Sequence, residues 1–231
     1  MNRACKLGYA SYIKFFLSNG SNPNITDSTG KLPLTNLIDS CFLESETLVD
    51  LLLDSGSLVN SPFHPPVIYA LRTQRFSITE KLILRGAKIS TDDKHQNAWY
   101  NLMYKDIPYS VTDCVKIANL LISNGASLEE VDIDGDTPLL KACKKCYYGI
   151  ASVIVENTTS QSILDYRDKF NGWGPIHYIV RWASATGAQG KGFSFVTRNN
   201  SLPVLNCPTE PLVFTPFVEQ SDHFYNISAS T

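Results

Sequence analysis

The sequence predicts an all-α solenoid of stacked helix-turn-helix units joined by β-turn or hairpin loops, and three observations predict it. Four apolar segments end on a glycine followed by a small residue, at Gly20, Gly56, Gly86 and Gly125, separated by 36, 30 and 39 residues. Counting back from each glycine, the eighth, fourth and third residues are apolar every time: Tyr12, Phe16, Leu17; Leu48, Leu52, Leu53; Ile78, Leu82, Ile83; Ile117, Leu121, Ile122. That spacing places the three side chains on one face of a helix. Upstream, a turn and a proline open a second short apolar segment, as in Gly30-Lys31-Leu32-Pro33-Leu34, Pro65-Pro66-Val67-Ile68, Gly135-Asp136-Thr137-Pro138-Leu139 and Gly172-Trp173-Gly174-Pro175-Ile176.

Each element of the unit follows from those residues. Proline suits the first turn of a helix, where its missing N–H would have no partner anyway. Glycine after the last apolar pair fits a helix end, because it enters the left-handed conformation without a Cβ penalty. One such pair has too little apolar surface to fold alone, so neighbours stacked side by side must supply a shared core.

Composition narrows the function. The 231 residues carry a formal charge of −2, with 20 Lys and Arg against 22 Asp and Glu, which leaves no electrostatic footprint for nucleic acid. No uninterrupted apolar run is long enough to span a membrane, since Lys14 breaks the first candidate and Arg181 the last. Arg3 and Lys6 precede an apolar patch, but Lys14 inside it and the lack of a small-x-small cleavage site argue against a secretory signal. Six cysteines in a chain this long fit reduced thiols in a cytoplasmic, or nuclear, protein better than a disulfide framework.

The unit resembles the ankyrin repeat. Asp134-Gly135-Asp136-Thr137-Pro138-Leu139-Leu140-Lys141-Ala142-Cys143 is similar to the family's D-G-x-T-P-L-H-x-A-A, with Leu140 in place of the His and Cys143 in place of the second Ala. Asn171-Gly172-Trp173-Gly174-Pro175-Ile176-His177 keeps the His, for which the resemblance implies a structural hydrogen bond to nearby backbone. Ala4 to Asn24 resembles the back half of a further unit. Five to six degenerate copies fill 1–183; in the weakest, Trp99 stands for the proline and 106–113 lengthens the connection between helices. Both ends of the array are cut within a repeat, so bare ends should expose apolar surface, and the chain reads as a piece or alternative product of a longer protein. Residues 184–231, with four prolines and five charges, read as a tail of low order. Within it Val213-Phe214-Thr215-Pro216-Phe217 has the look of a docking motif, although boundary sequence explains it too.

Motifs that suggest chemistry have plainer explanations. Asp132-Ile133-Asp134-Gly135-Asp136 starts like a calcium loop, but Thr137 and Cys143 stand where such a loop needs glycine and glutamate. A turn whose aspartates accept backbone hydrogen bonds explains it equally well. Cys143-Lys144-Lys145-Cys146 lacks a second ligand pair for zinc, and Cys143 is expected in the core. In the stretch 185–192, Gly192 stands where a phosphate loop needs a hydroxyl, and the chain after it reads as extended.

No catalytic residue, metal ligand or cofactor emerges. The resemblance implies a non-enzymatic protein-interaction scaffold that takes a partner protein in the concave groove. The alternatives are the regulatory or substrate-docking segment of a larger enzyme of kinase or poly-ADP-ribosyl transferase type, or the array of a channel. Candidate partner-binding residues are the acidic run Glu129, Glu130, Asp132, Asp134 and Asp136, which would favour a basic segment, and the aromatics Trp99, Tyr100, Tyr104 and Tyr109. A solvated turn explains the acidic run as well, and core packing explains Trp99 and Tyr104.

Overall fold

The computed structural model describes residues 1–40, 45–89, 97–105 and 110–185, together with the backbone of 194–197 and 203–206. Five helix pairs follow one another: α1 (Asn2–Leu7) with α2 (Ala10–Ser18), α3 (Pro33–Asp39) with α4 (Ser45–Asp54), α5 (Pro66–Arg72) with α6 (Phe76–Leu84), α7 (Ala98–Leu102) with α8 (Val111–Ser123), and α9 (Pro138–Lys144) with α10 (Tyr148–Asn157). A short α11 (Gln161–Leu164) precedes α12 (Pro175–Ala185), the first helix of a sixth unit. First helices form one row, α1 on α3, α3 on α5, α5 on α7, α7 on α9 and α9 on α12. Second helices form another, with α2 beside α4, α6 beside α8 and α8 beside α10. A continuous apolar core from Ala4 to Ile179 lies between the rows, which is the shared core the unit requires.

The local signals act as expected. Gly20, Gly56, Gly86 and Gly125 sit at φ between 71° and 86°. The N–H of the next residue then reaches back into the last turn of its helix, as in Ser57 to the Leu52 carbonyl at 3.0 Å, so carbonyls that a helix end leaves open are satisfied. Pro33, Pro66, Pro138 and Pro175 each occupy the first position of a helix.

Two registers differ from the sequence reading. In the fourth unit Asn97 caps α7 and accepts the Tyr100 N–H at 3.0 Å, so Ala98 stands at the proline position and Trp99 one place later. In the first unit Tyr12 is 60% exposed, whereas its counterparts Leu48, Ile78 and Ile117 are 2%, 0% and 1% exposed. Ile13 is the buried residue there. The difference is one of neighbours, since every other second helix has another helix pair on that side.

Side chains tie unit to unit. Asn24 donates to the Gly56 carbonyl at 3.0 Å and accepts the Leu58 N–H at 2.8 Å, while Asn60 repeats this with the Gly86 carbonyl at 3.1 Å and the Lys88 N–H at 2.8 Å. Between α4 and α6, Asp50 pairs with Lys81 at 2.7 Å, Asp54 with Arg85 at 2.8 Å, and Glu46 accepts from Ser77 at 3.1 Å. Lys116 of α8 continues the row to Glu80 of α6 at 2.7 Å.

Within the segment expected to be of low order, β1 (Ser194–Thr197) and β2 (Pro203–Asn206) pair antiparallel, Ser194 opposite Asn206, and β2 lies against α10. The rest of 186–231 lies outside the described residues.

Candidate functional site

The acidic turn of the fifth unit is built by its own backbone. Asp132 Oδ1 accepts the N–H groups of Asp134 at 2.9 Å and Asp136 at 3.0 Å, and the Asp132 N–H closes the loop on the Asp136 carbonyl at 3.0 Å. Asp27 closes the same loop on Lys31, and Asp168 closes one a residue longer on Trp173, each at 2.9 Å. Thr137 then caps α9, whose first turns direct Lys141 and Lys144 back over the loop. A helix places residues three apart on the same side.

These lysines consume the charge of the turn. Lys141 Nζ lies 2.9 Å from Asp132 and 3.8 Å from Asp136 and bonds Asp134, and Lys144 Nζ lies 2.6 Å from Asp136 and 3.9 Å from Asp168. Asp132 and Asp136 are each only 4% exposed at the side chain, against 53% for Asp134. Burial, the largest influence on the Lys141 ammonium, works to lower its pKa, but the bonds to Asp134 and Asp132 together outweigh it and hold the group above the ordinary lysine value. Burial also raises Asp136 against the pull of Lys144 and Lys141. The carboxylate oxygens of Asp132, Asp134 and Asp136 gather within 4.8 Å of one another, close enough for a cation, and the Lys141 ammonium fills that role.

From this turn a chain of rings and cations runs across the first-helix row. Lys141 Nζ lies 5.1 Å from the centre of the Tyr100 ring, Tyr100 meets Tyr104 edge to face at 5.9 Å, and Arg72 of α5 sits 4.3 Å over Tyr104 while donating to its hydroxyl at 3.0 Å. On the other side Lys144 lies 5.5 Å over Tyr178, whose hydroxyl donates to Asp168; Trp173 meets Tyr178 at 5.4 Å and lies under Arg181 at 5.3 Å. Burial works to raise the Asp168 carboxyl, but the Tyr178 hydroxyl and the N–H groups of Asn171 and Phe170 bring it down to about 2. Such ring and cation contacts are each worth about 0.5–2 kcal/mol. Tyr104 remains 41% exposed.

The sequence candidates divide. Tyr100, Tyr104, Asp132, Asp134 and Asp136 come together in this network. Glu129 is exposed and accepts from Ser160 at 3.0 Å, and Glu130 is half-buried. Trp99 is a core residue, 2% exposed with its indole N–H donated to the Ser127 carbonyl at 2.9 Å, so it anchors its own fold and presents no ring to a partner. Asp132 and Asp136 likewise offer a partner no unpaired charge. Tyr109 lies outside the described residues. Cys143 is buried, and His177 Nδ1 meets the Gly174 N–H at 3.2 Å, as the reading of each expected. Sequence reasoning missed Arg72, Lys141, Lys144, Trp173 and Tyr178. For the lysines a signal existed: two cations three apart directly follow the acidic turn.

Comparison with known proteins agrees with this geometry. No family model matches the chain, and no curated protein matches its sequence. Among solved structures, the chain is similar to the human ASB11 ankyrin repeat domain, with a TM-score of 0.59 and 21% identity over 76% of this chain and 74% of that one. The chain therefore has the ankyrin-repeat fold. No helix among its described residues is long and apolar enough to cross a membrane.

Proposed function

We propose that the array is a protein-binding module that takes a partner segment along the turn side of its first-helix row, at Arg72, Tyr100, Tyr104, Asp134, Glu129 and Glu130. One observation carries the reading. The row presents half-exposed aromatic rings braced by cations, and rings of this kind make rigid contact area at little entropic cost. The basic character expected of the partner now rests on Glu129, Glu130 and the exposed edge of Asp134, because Lys141 and Lys144 neutralise the others. A reducing cytoplasmic or nuclear setting is part of this proposal, in which Cys5, Cys114, Cys143 and Cys146 are free thiols.

A photo-reactive residue at position 104 of the full chain, compared with one at exposed Asn119 of α8, tests the proposal in cells. Adducts to another protein are expected from position 104 and not from 119. Equal labelling at both, or labelling from 119 alone, refutes it. With the captured partner in hand, Glu129→Lys with Glu130→Lys is expected to slow association most at low salt.

A further inference from the structure

The chain has three asparagine–glycine steps, Asn19-Gly20, Asn124-Gly125 and Asn171-Gly172. Asparagine is a thermolabile residue, most of all before glycine, where no side chain screens the following backbone nitrogen from the asparagine amide carbon. The first two steps lie at helix ends that tie down both reacting groups. Gly20 donates to the Leu17 carbonyl and Gly125 to the Ile122 carbonyl, each at 3.0 Å, while the side-chain amides of Asn19 and Asn124 donate to the carbonyls of Phe15 and Leu120, each at 2.8 Å. The third step lies in the turn of the sixth unit. In the turns of the second and fifth units the glycine N–H donates to the aspartate carbonyl three residues back, Gly30 to Asp27 and Gly135 to Asp132, each at 3.0 Å. The sixth turn is one residue longer, and Gly172, at φ 66°, makes no such bond; its N–H has no partner among the described residues. Asn171 is exposed, and its side-chain amide reaches only the Tyr178 hydroxyl, at 3.5 Å.

We propose that Asn171 is a site of spontaneous deamidation, and that the longer turn of the sixth unit makes it one. The Gly172 nitrogen gives its proton to water or hydroxide and bonds to Cγ of Asn171. The bond from Cγ to the side-chain nitrogen breaks, and that nitrogen takes a proton from water and leaves as ammonia. Water then opens the cyclic imide at either carbonyl, which leaves aspartate or isoaspartate at position 171. Water is the only other reactant. The change reaches the chain of rings and cations at its Lys144 end. Asn171 now donates to the Tyr178 hydroxyl, which itself donates to Asp168; after the reaction the donor is a carboxylate, and two carboxylates face one hydroxyl. Isoaspartate also adds a methylene to the backbone of the loop whose N–H groups at 170 and 171 hold Asp168.

Incubation of the full chain at neutral to mildly basic pH, followed by peptide mapping by mass spectrometry that separates aspartate from isoaspartate, tests this. In the folded chain position 171 is expected to convert at least about tenfold faster than 19 or 124, since each of those must first break two hydrogen bonds. In concentrated urea the three positions are expected to convert at rates within about threefold of one another, which traces the difference to the fold. Deleting Phe170 shortens the turn to the length of the second and fifth and should slow conversion at 171 toward that of 19 and 124, with circular dichroism checking the helix content. The comparison of folded and urea-treated chain stands without that variant. Equal conversion at all three positions of the folded chain overturns the proposal, as does a preference for 171 that persists undiminished in urea, or a folded chain that stays intact at 171 while the unfolded one reacts. A folded chain lacking Phe170 that converts at 171 as fast as the parent overturns the part assigned to the longer turn.

Discussion

Replacing Lys141 with Met keeps the length of the side chain and removes the one ammonium that meets all three aspartates of the fifth turn. Asp134 is half exposed, so water takes over its solvation at little cost. Asp136 keeps Lys144 at 2.6 Å. Asp132, almost wholly buried, retains two backbone N–H groups but loses its counter-charge. Removing one partner of a buried pair costs about 3–5 kcal/mol, and with one stranded carboxylate the lower end applies, about 3 kcal/mol. Adding Asp132→Asn removes the stranded charge while its amide oxygen still accepts both N–H bonds, and should recover about half of the loss. Urea unfolding of the full chain followed by circular dichroism measures both steps, and hydrogen exchange should speed up in α9 and in the 132–136 loop before more distant units. A Lys141→Met variant within about 1 kcal/mol of the parent, or a second substitution that recovers nothing, refutes the view that this ion cluster is held by burial.

Three further outcomes follow from the same contacts. Ser57 is buried with a hydroxyl that has no partner among the described residues, and Ala87 and Ala126 occupy the matching site, so Ser57→Ala should stabilise the chain by about 0.5–1 kcal/mol, read as a higher urea midpoint. Asn60→Ala removes two bonds between neighbouring units and should cost about 1–2 kcal/mol in the same assay, with α6 and α4 exchanging amide hydrogens faster. Asp168 titrates near 2 when folded, below the ordinary value of about 3.9. Its stabilising contribution is therefore complete above that ordinary value and lost as pH falls through about 2. Asp168→Asn should flatten the decline in thermal midpoint between about pH 4 and pH 2, and an unchanged slope would count against the depressed carboxyl.

Much of this fold is legible in the sequence because its signals are local. A glycine that must take positive φ, as at Gly56 or Gly125, and a proline that opens a helix, as at Pro138, are decided within a few residues of backbone. Burial is not local. Tyr12 fits the apolar template as well as Leu48 does, yet the template assumes a helix pair on each side, and only one side of the first unit has it. The binding face was harder to read for a related reason. Five carboxylates in eight residues look like a surface field, and their strength depends on whether Lys141 and Lys144 turn back over them, which the path of the chain settles. Trp99 shows the converse, since an indole read as an anchor for others finds its partner at Ser127, just past the end of α8.

The acids of α4 recur at 46, 50 and 54, and their partners on α6 recur at 77, 81 and 85, a constant offset of 31 residues. Sliding α6 by one helical turn would still bring Lys81 to Glu46 and Arg85 to Asp50, keeping two ionic pairs and losing only the hydroxyl contact of Ser77. Such a row is blind to slippage by whole turns, so it cannot by itself determine how the third unit seats on the second. That decision falls to Asn60, whose paired bonds to the Gly86 carbonyl and the Lys88 amide have no alternative one turn away.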